Sequence, residues 1–263
     1  MSAAARTVHA PPVVESGVAH WFRSFGLMMR FDAGRAREWA AMMAIVQVFM
    51  GAGMAITYGF FYPVVAPTIA LYIVTGTPTL ALIPLGLVMV PIGVSQQKVE
   101  RTFDFIWSLP APRSAQAAST FVLWTALAIP GMVVAVAIAA WRYGVALTVS
   151  PSIVPAVLLS ALMAISVGFG MALAISSPVV VNLITNTLIF VVLLFTPIVF
   201  PISQLPSWMA TVHHLLPFYA MAQIVRAGLT TGIVTNVAWW YLVVIVWTVF
   251  GWGLTAWVVA RRG

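Results

Sequence analysis

Residues 237–260 read VAWWYLVVIVWTVFGWGLTAWVVA, an apolar run without one charged side chain, and Arg261 and Arg262 follow it directly. Crossing about 30 Å of hydrocarbon at 1.5 Å per residue takes roughly 20 apolar residues in a helix, so this run predicts a membrane-spanning helix stopped by a basic pair. The same reading extends through a chain of 263 residues that is 62% hydrophobic and 6% charged, whereas a soluble domain carries about 25% charged residues. A water-soluble fold has no means of hiding that much apolar surface. The predicted fold class is an all-α membrane protein: six transmembrane helices, an N-terminal interfacial helix, and two half-depth outer helices before the last span.

Working back from the last span, a fifth is expected over 180–200 and a fourth over 153–175, with Ser176, Ser177 and Pro178 making the tight turn between them. The third covers 117–141, and an outer loop begins at Arg142, Tyr143 and Gly144. Pro63, Pro67, Gly76 and Pro78 punctuate the preceding apolar stretch, which puts an outer turn there, limits the second span to 79–94 and leaves 39–62 for the first. Residues 1–16, including Pro11 and Pro12, lack apolar periodicity and read as a flexible cytoplasmic tail; residues 17–263 read as a single transmembrane domain. Over 18–37, Val18, Trp21, Phe22, Phe25, Met28 and Met29 recur at helical spacing while His20, Arg23, Ser24 and Arg30 take the other face. That pattern predicts a helix lying in the membrane surface, ended by Asp32 and Gly34. The first 38 residues hold no short apolar core with a cleavage site, so the first span is expected to act as its own insertion signal.

On this map Arg6, Arg23, Arg30, Arg35, Arg37, Lys98, Arg101, Arg113, Arg261 and Arg262 share one side, and only Arg142 and Arg226 fall on the other. Basic residues stay in the cytoplasm, so both termini are expected there. All 5 acids, Glu15, Asp32, Glu38, Glu100 and Asp104, lie on that side or its border. An ion-driven carrier ordinarily keeps an ionisable group at membrane depth, and none is offered. Nor is there a nucleophile with a base and an orienting group, so the chain is not expected to be an enzyme. His213 and His214 are neighbours that point about 100° apart on a helix, a poor basis for a metal site. With no cysteine, disulfides and thiolate metal sites are excluded. The net charge of +7 borders apolar runs instead of forming a soluble basic face, so nucleic acid is not an expected partner.

Two segments carry more information. Residues 97–113 read QKVERTFDFIWSLPAPR, within a polar stretch over 96–116. Val99, Phe103, Ile106 and Trp107 can share one helical face, with Arg101, Asp104 and Ser108 on another. This is either a helix that docks a soluble partner through apolar anchors and register-setting charges, or a solvated loop that satisfies the charge bias. The second segment, 201–234, begins within TPIVFPISQLPSW (196–208) and continues through LPFY (216–219) to Arg226. Pro206 can open a short helix and Pro217 must end it, which gives two half-depth helices; a plain outer loop is the alternative. Arg226 is expected at the interface, where its stem can snorkel or its head can touch an anionic headgroup.

Both segments resemble those of type-2 ABC transporter permeases, in the drug and lipid exporter branch of daunorubicin-resistance-like membrane subunits. There, a charged run precedes Gly-Thr, an acid follows two residues after the threonine, and a proline eight residues after it. Thr102, Asp104, Pro110 and Arg113 match; Arg101 stands where glycine is usual, and Gln97 and Val99 where acids are usual. The Phe-Pro, Gln-Leu-Pro, tryptophan, proline and late arginine of the second segment match as well. The resemblance implies that Lys98, Glu100, Arg101, Thr102, Phe103, Asp104, Pro110 and Arg113 couple to a partner. It also implies that Pro201, Gln204, Leu205, Pro206, Trp208, Pro217 and Arg226 build an outer re-entrant segment.

The activity implied is export of an amphiphilic drug or lipid, from the cytoplasm or inner leaflet outward across the inner (plasma) membrane. The permease would work as a homodimer or heterodimer surrounded by membrane lipids, with ABC ATPase subunits holding the ATP and Mg, since this chain has no G-x-x-x-x-G-K-[ST] loop. A polysaccharide or glycolipid exporter of the same family, and a membrane scaffold that transports nothing, are the alternatives. Gly51, Gly53, Gly168 and Gly170 are candidates for close helix approach, and the 13 methionines suit adaptable apolar surfaces.

Overall fold

A computed structural model describes residues 17–61 and 65–261; the predicted tail lies outside the described residues. The described residues form helices and no strands, with α1 (Val18–Val48), α2 (Met54–Phe61), α3 (Pro67–Pro84), α4 (Val90–Val99), α5 (Thr102–Ser108), α6 (Arg113–Tyr143), α7 (Ile153–Ala174), α8 (Pro178–Phe195), α9 (Ser207–His213), α10 (Pro217–Leu229) and α11 (Val237–Ala260). Two π-turns, Phe49–Gly53 and Leu85–Met89, join α1 to α2 and α3 to α4. Six helices are long and apolar enough to span a membrane: Val18–Phe60, Pro67–Val99, α6, α7, α8 and α11.

The first helix corrects the expected break at Asp32 and Gly34. It runs without interruption over 43 residues, about 65 Å at 1.5 Å per residue, roughly twice the hydrocarbon thickness. A mid-helix glycine lowers stability by only about 1 kcal/mol, and contacts on both sides of this one hold the helix straight on. Trp21 Nε1 donates to Ser114 Oγ at 2.9 Å, Ser119 Oγ donates to Asp32 Oδ2 at 3.3 Å, and Arg35 pairs with Glu100 at 3.6 Å. The predicted surface helix is thus the first half of a longer one that lies along α6.

The second span is also longer than predicted. Pro67 opens α3 at its first turn, where the missing N–H has no bond to lose, and Gly76 and Pro78 lie inside the helix. Pro78 cannot donate to the Val74 carbonyl, and Thr77 Oγ1 donates to that oxygen instead, at 2.8 Å. Gly76 is the site of a crossing: a Cβ there would stand 2.6 Å from the Ile198 carbonyl oxygen and 2.9 Å from Val199 Cγ1. The wide π-turn at Leu85–Met89 lies between Pro84 and Pro91, two rings with no N–H to give.

This span is the axis of the molecule, with most of its apolar length buried. On one side of it the first and third spans run parallel, Gly51 against Ala135 and the Tyr143 hydroxyl donating to the Ala55 carbonyl at 2.6 Å. On the other side α7 packs along α11. Gly168 allows the closest approach between spans two and four, since its Cβ would fall 2.0 Å from the Gly86 oxygen. Gly170 faces the Gly251 oxygen, whereas Gly53 approaches only Phe49 of its own π-turn. The fifth span, α8, rests on α4 and its π-turn along Val181, Thr185, Ile189 and Val192 and is otherwise exposed. It ends at Phe195 rather than 200, because Pro197 drives Thr196 into extended backbone.

Candidate functional site

The two helix pairs diverge at the face that carries the termini, and a cavity of about 780 Å³ lies between them. Its chemistry is graded along the helices that build it. From α1, Asp32, Arg35 and Glu38 come first, then Trp39 and Met43; from α6, Arg113 and Ser114 come first, then Trp124 and Leu127. Because α1 and α6 run in the same direction, the charges collect at one end and the apolar groups at the other. Met89, Ile92 and Gly93 of the second span form the back wall, and Phe169 and Trp252 close the far side. Pockets of 300–1,000 Å³ with apolar walls and a few polar groups are the usual form of a small-molecule site.

The predicted coupling segment forms the floor at the charged end. After Val99 the chain turns through Arg101, whose φ of 56° and ψ of 9° place it in the left-handed region. The short helix α5 follows, with Thr102, Phe103 and Asp104 in its first turn, and Pro110 in the turn that leads to Arg113 and α6. Ile106 is buried and lines the cavity, while Phe105 beside it is 59% exposed. The expected apolar face does not include Val99, which belongs to α4 and is exposed. Lys98 is turned inward: its Nζ donates to the carbonyls of Ala172, of Leu173 at 3.5 Å and of Ile175 at 3.3 Å. These are the oxygens that the end of α7 leaves unsatisfied, so the ammonium ties the second span to the fourth.

On the opposite face the chain folds back as predicted, through α9 and α10. At 13 residues α10 is about 20 Å long, too short to cross, and it is covered by α3, α7 and α11, as non-spanning backbone at membrane depth must be. Arg226 departs from the expectation. It is wholly buried, with Nε donating to Thr75 Oγ1 at 2.9 Å, Nη1 to Gln223 Oε1 at 3.1 Å and Nη2 to the Ile198 carbonyl at 2.5 Å. The guanidinium lies 4.2 Å from the Tyr72 ring centroid, and the Gln223 amide donates in turn to the Tyr219 hydroxyl. It neither snorkels nor meets a headgroup, because α10 runs back into the bundle and carries it there. Three neutral acceptors and an aromatic face take the place of a carboxylate.

The other residues of the re-entrant segment do not join this cluster. Pro201 and Leu205 are half-buried, Gln204 and Pro206 exposed, and Trp208 is exposed on α9; only Pro217, which opens α10, is buried. His213 and His214 separate as their spacing predicts. His214 stands 5.2 Å from Trp240, ring to ring. His213 is buried, with no partner for Nδ1 among the described residues. Burial pushes its imidazole pKa below the usual value, and the Phe195 backbone pulls it part of the way back. Among the described residues no three His, Asp or Glu side chains converge as a metal site would require.

Sequence reasoning missed Tyr72, Thr75 and Gln223 as partners of Arg226, and Trp124, Trp252 and Gly93 as walls of the cavity. Thr75 and Gln223 were visible as polar residues inside apolar runs, and Gln223 precedes Arg226 by one helical turn. The tryptophans gave no signal, because apolar helices present tryptophan to lipid and to cavities alike. No protein-family model matches the chain, and no curated protein matches it.

Proposed function

We propose that the chain is the membrane subunit of an ATP-driven ABC exporter that moves an amphiphilic cargo outward, driven by ATPase subunits on a separate polypeptide. The observation that carries this reading is α5. One residue of this helix, Phe105, faces out from the bundle, and the next, Ile106, is part of the cavity wall. A partner that displaces the helix therefore changes the shape of the cavity directly. In the turn just before α5, Glu100 pairs with Arg35 of the first span at 3.6 Å, and the pair is exposed, a kind that contributes about 0–1 kcal/mol.

A second permease copy fits against α8. Its uncovered face is largely apolar, with Asn182, Asn186 and Thr187 exposed among the hydrophobic residues and the two asparagines bonded to each other. Lipid offers such amides no partner, whereas a neighbouring helix does. The basic residues around the cavity end support a cytoplasmic side for it, since basic residues favour that side. The test is transport in inverted vesicles that hold the chain together with its ATPase. The reading requires accumulation that needs ATP and survives collapse of the proton gradient; accumulation that follows the proton gradient without ATP would overturn it.

A further inference from the structure

From the cavity between the helix pairs we infer a binding site for a zwitterionic amphiphile of the phosphatidylethanolamine type, entering sideways from the leaflet at the termini face. The ligand's head would lie among Asp32, Arg35, Glu38, Glu100 and Arg113, and its chain against Trp124 and Trp252. The inference rests on the chain being embedded in a membrane and not on its coupling to an ATPase.

Three observations carry it. The first is the interleaving of sign at the rim. Three carboxylates and two guanidiniums line it, and Arg35 lies 3.6 Å from Glu100. A cationic head would meet two arginines there, and an anionic head three carboxylates. A head with a phosphate and an ammonium a few bonds apart matches both signs at once. The Arg35–Glu100 pair is exposed on both sides, so exchanging it for contacts to a headgroup loses little. The second is the apolar depth: Met43, Met89, Trp124, Leu127, Phe169 and Trp252 offer walls that water cannot satisfy.

The third is the side opening. The main packings of α11 are on α7 and α10, and those of the first span are on α6 and α3. Neither the first nor the third span is among the main packing partners of α11, and Trp252 and Ala256 line the same cavity as Trp39 and Leu123, so the space between α11 and those spans is where the cavity can open sideways. Trp39 is 51% exposed. On α11, Trp257 is also 51% exposed and lies 3.8 Å from the Arg261 guanidinium. Half-exposed tryptophans with arginines mark the headgroup level of a leaflet, so the rim opens at the depth where lipid heads reside.

Gly93 supplies the test. It lines the cavity, and a Cβ there would meet only Trp124, at an ordinary 3.7 Å, so Gly93→Leu fills the space without forcing the backbone. Delipidated protein in detergent is titrated by native mass spectrometry with three lipids that share dioleoyl chains: phosphatidylethanolamine, phosphatidylglycerol and a trimethylammonium-propane lipid. The expected result is one tightly retained phosphatidylethanolamine, held more weakly by about tenfold or more in G93L, a difference of about 1.4 kcal/mol, with the charged lipids inferior to it. Thermal unfolding of G93L checks that the fold is intact, and the headgroup comparison on the unaltered chain needs no variant. Equal retention of all three lipids, preference for either charged one, or full retention by a folded G93L would overturn the inference. No nucleotide enters the assay, so failure here leaves the ATPase reading standing, and failure of that reading leaves this site intact.

Discussion

Arg226 is a buried cation whose bonded partners are all neutral. Hydrogen bonds to charged groups contribute about 1.5–3 kcal/mol each, and removing one side leaves the other unsatisfied. Arg226→Met should therefore destabilise the protein by about 3 kcal/mol or more, read as a lower Tm in detergent. Arg226→Lys should not rescue it, because one ammonium cannot reach three divergent acceptors. At Arg101 the expected change has the opposite sign. A non-glycine residue in the left-handed region costs about 1 kcal/mol, and Arg101→Gly should raise Tm modestly. In the sequence Arg101 stood out only as a departure from the glycine usual at that place in the family it resembles; its left-handed backbone was not legible there. His213 should make stability depend on pH. Its folded pKa lies below the unfolded value, so the unfolded chain binds the proton first and stability falls as pH drops through about 6.5. His213→Gln should flatten Tm between pH 7.5 and 5.5; an unchanged slope would count against the burial of that imidazole.

At the scale of elements, the sixth span was legible to its ends, because its apolar run begins and stops in sequence as it does in the structure. The fourth was nearly so, ending at Ala174 where 175 was expected. The second was not. Pro67, Gly76 and Pro78 look like turn residues, yet one opens a helix, one makes room for a crossing chain, and one has its orphaned carbonyl taken by Thr77. The first and last are local arrangements that a proline rule mistakes for a turn; the crossing at Gly76 depends on Ile198 and Val199, neighbours distant in sequence, which periodicity cannot supply. The continuity of the first helix past Asp32 and Gly34 was hidden for the same reason, since Ser114, Ser119 and Glu100 supply its partners. The crossing at Gly76 makes a prediction of its own. Gly76→Ala and Arg226→Met both disturb the Ile198 carbonyl, so their effects should be non-additive by about 0.5–3 kcal/mol in a double-mutant cycle. Simple additivity would mean that the two sites do not share that oxygen.

For the whole molecule, the second span is an axis flanked by two helix pairs, with α8 as an outlier. Of the apolar face expected in the coupling segment, Ile106 is buried while Val99 is exposed on α4; the cavity above it was not legible, because its lining comes from six stretches of chain that meet only in three dimensions. The exposed Asn182 and Asn186 belong to this scale. Replacing both with leucine should shift the protein toward monomer on native gels, if a second copy covers α8; unchanged assembly would move the subunit contact elsewhere. On the proposed function, α5 is the element that receives the action of an ATPase. The chain contains no cysteine, so Phe105→Cys gives a single reactive site on the exposed side of that helix. Cross-linking from this position in whole membranes should join the chain to an ATP-hydrolysing subunit in a manner that changes with added nucleotide. A cysteine at 105 that reacts only from the opposite side of the membrane, or that never links to such a subunit, would contradict the account.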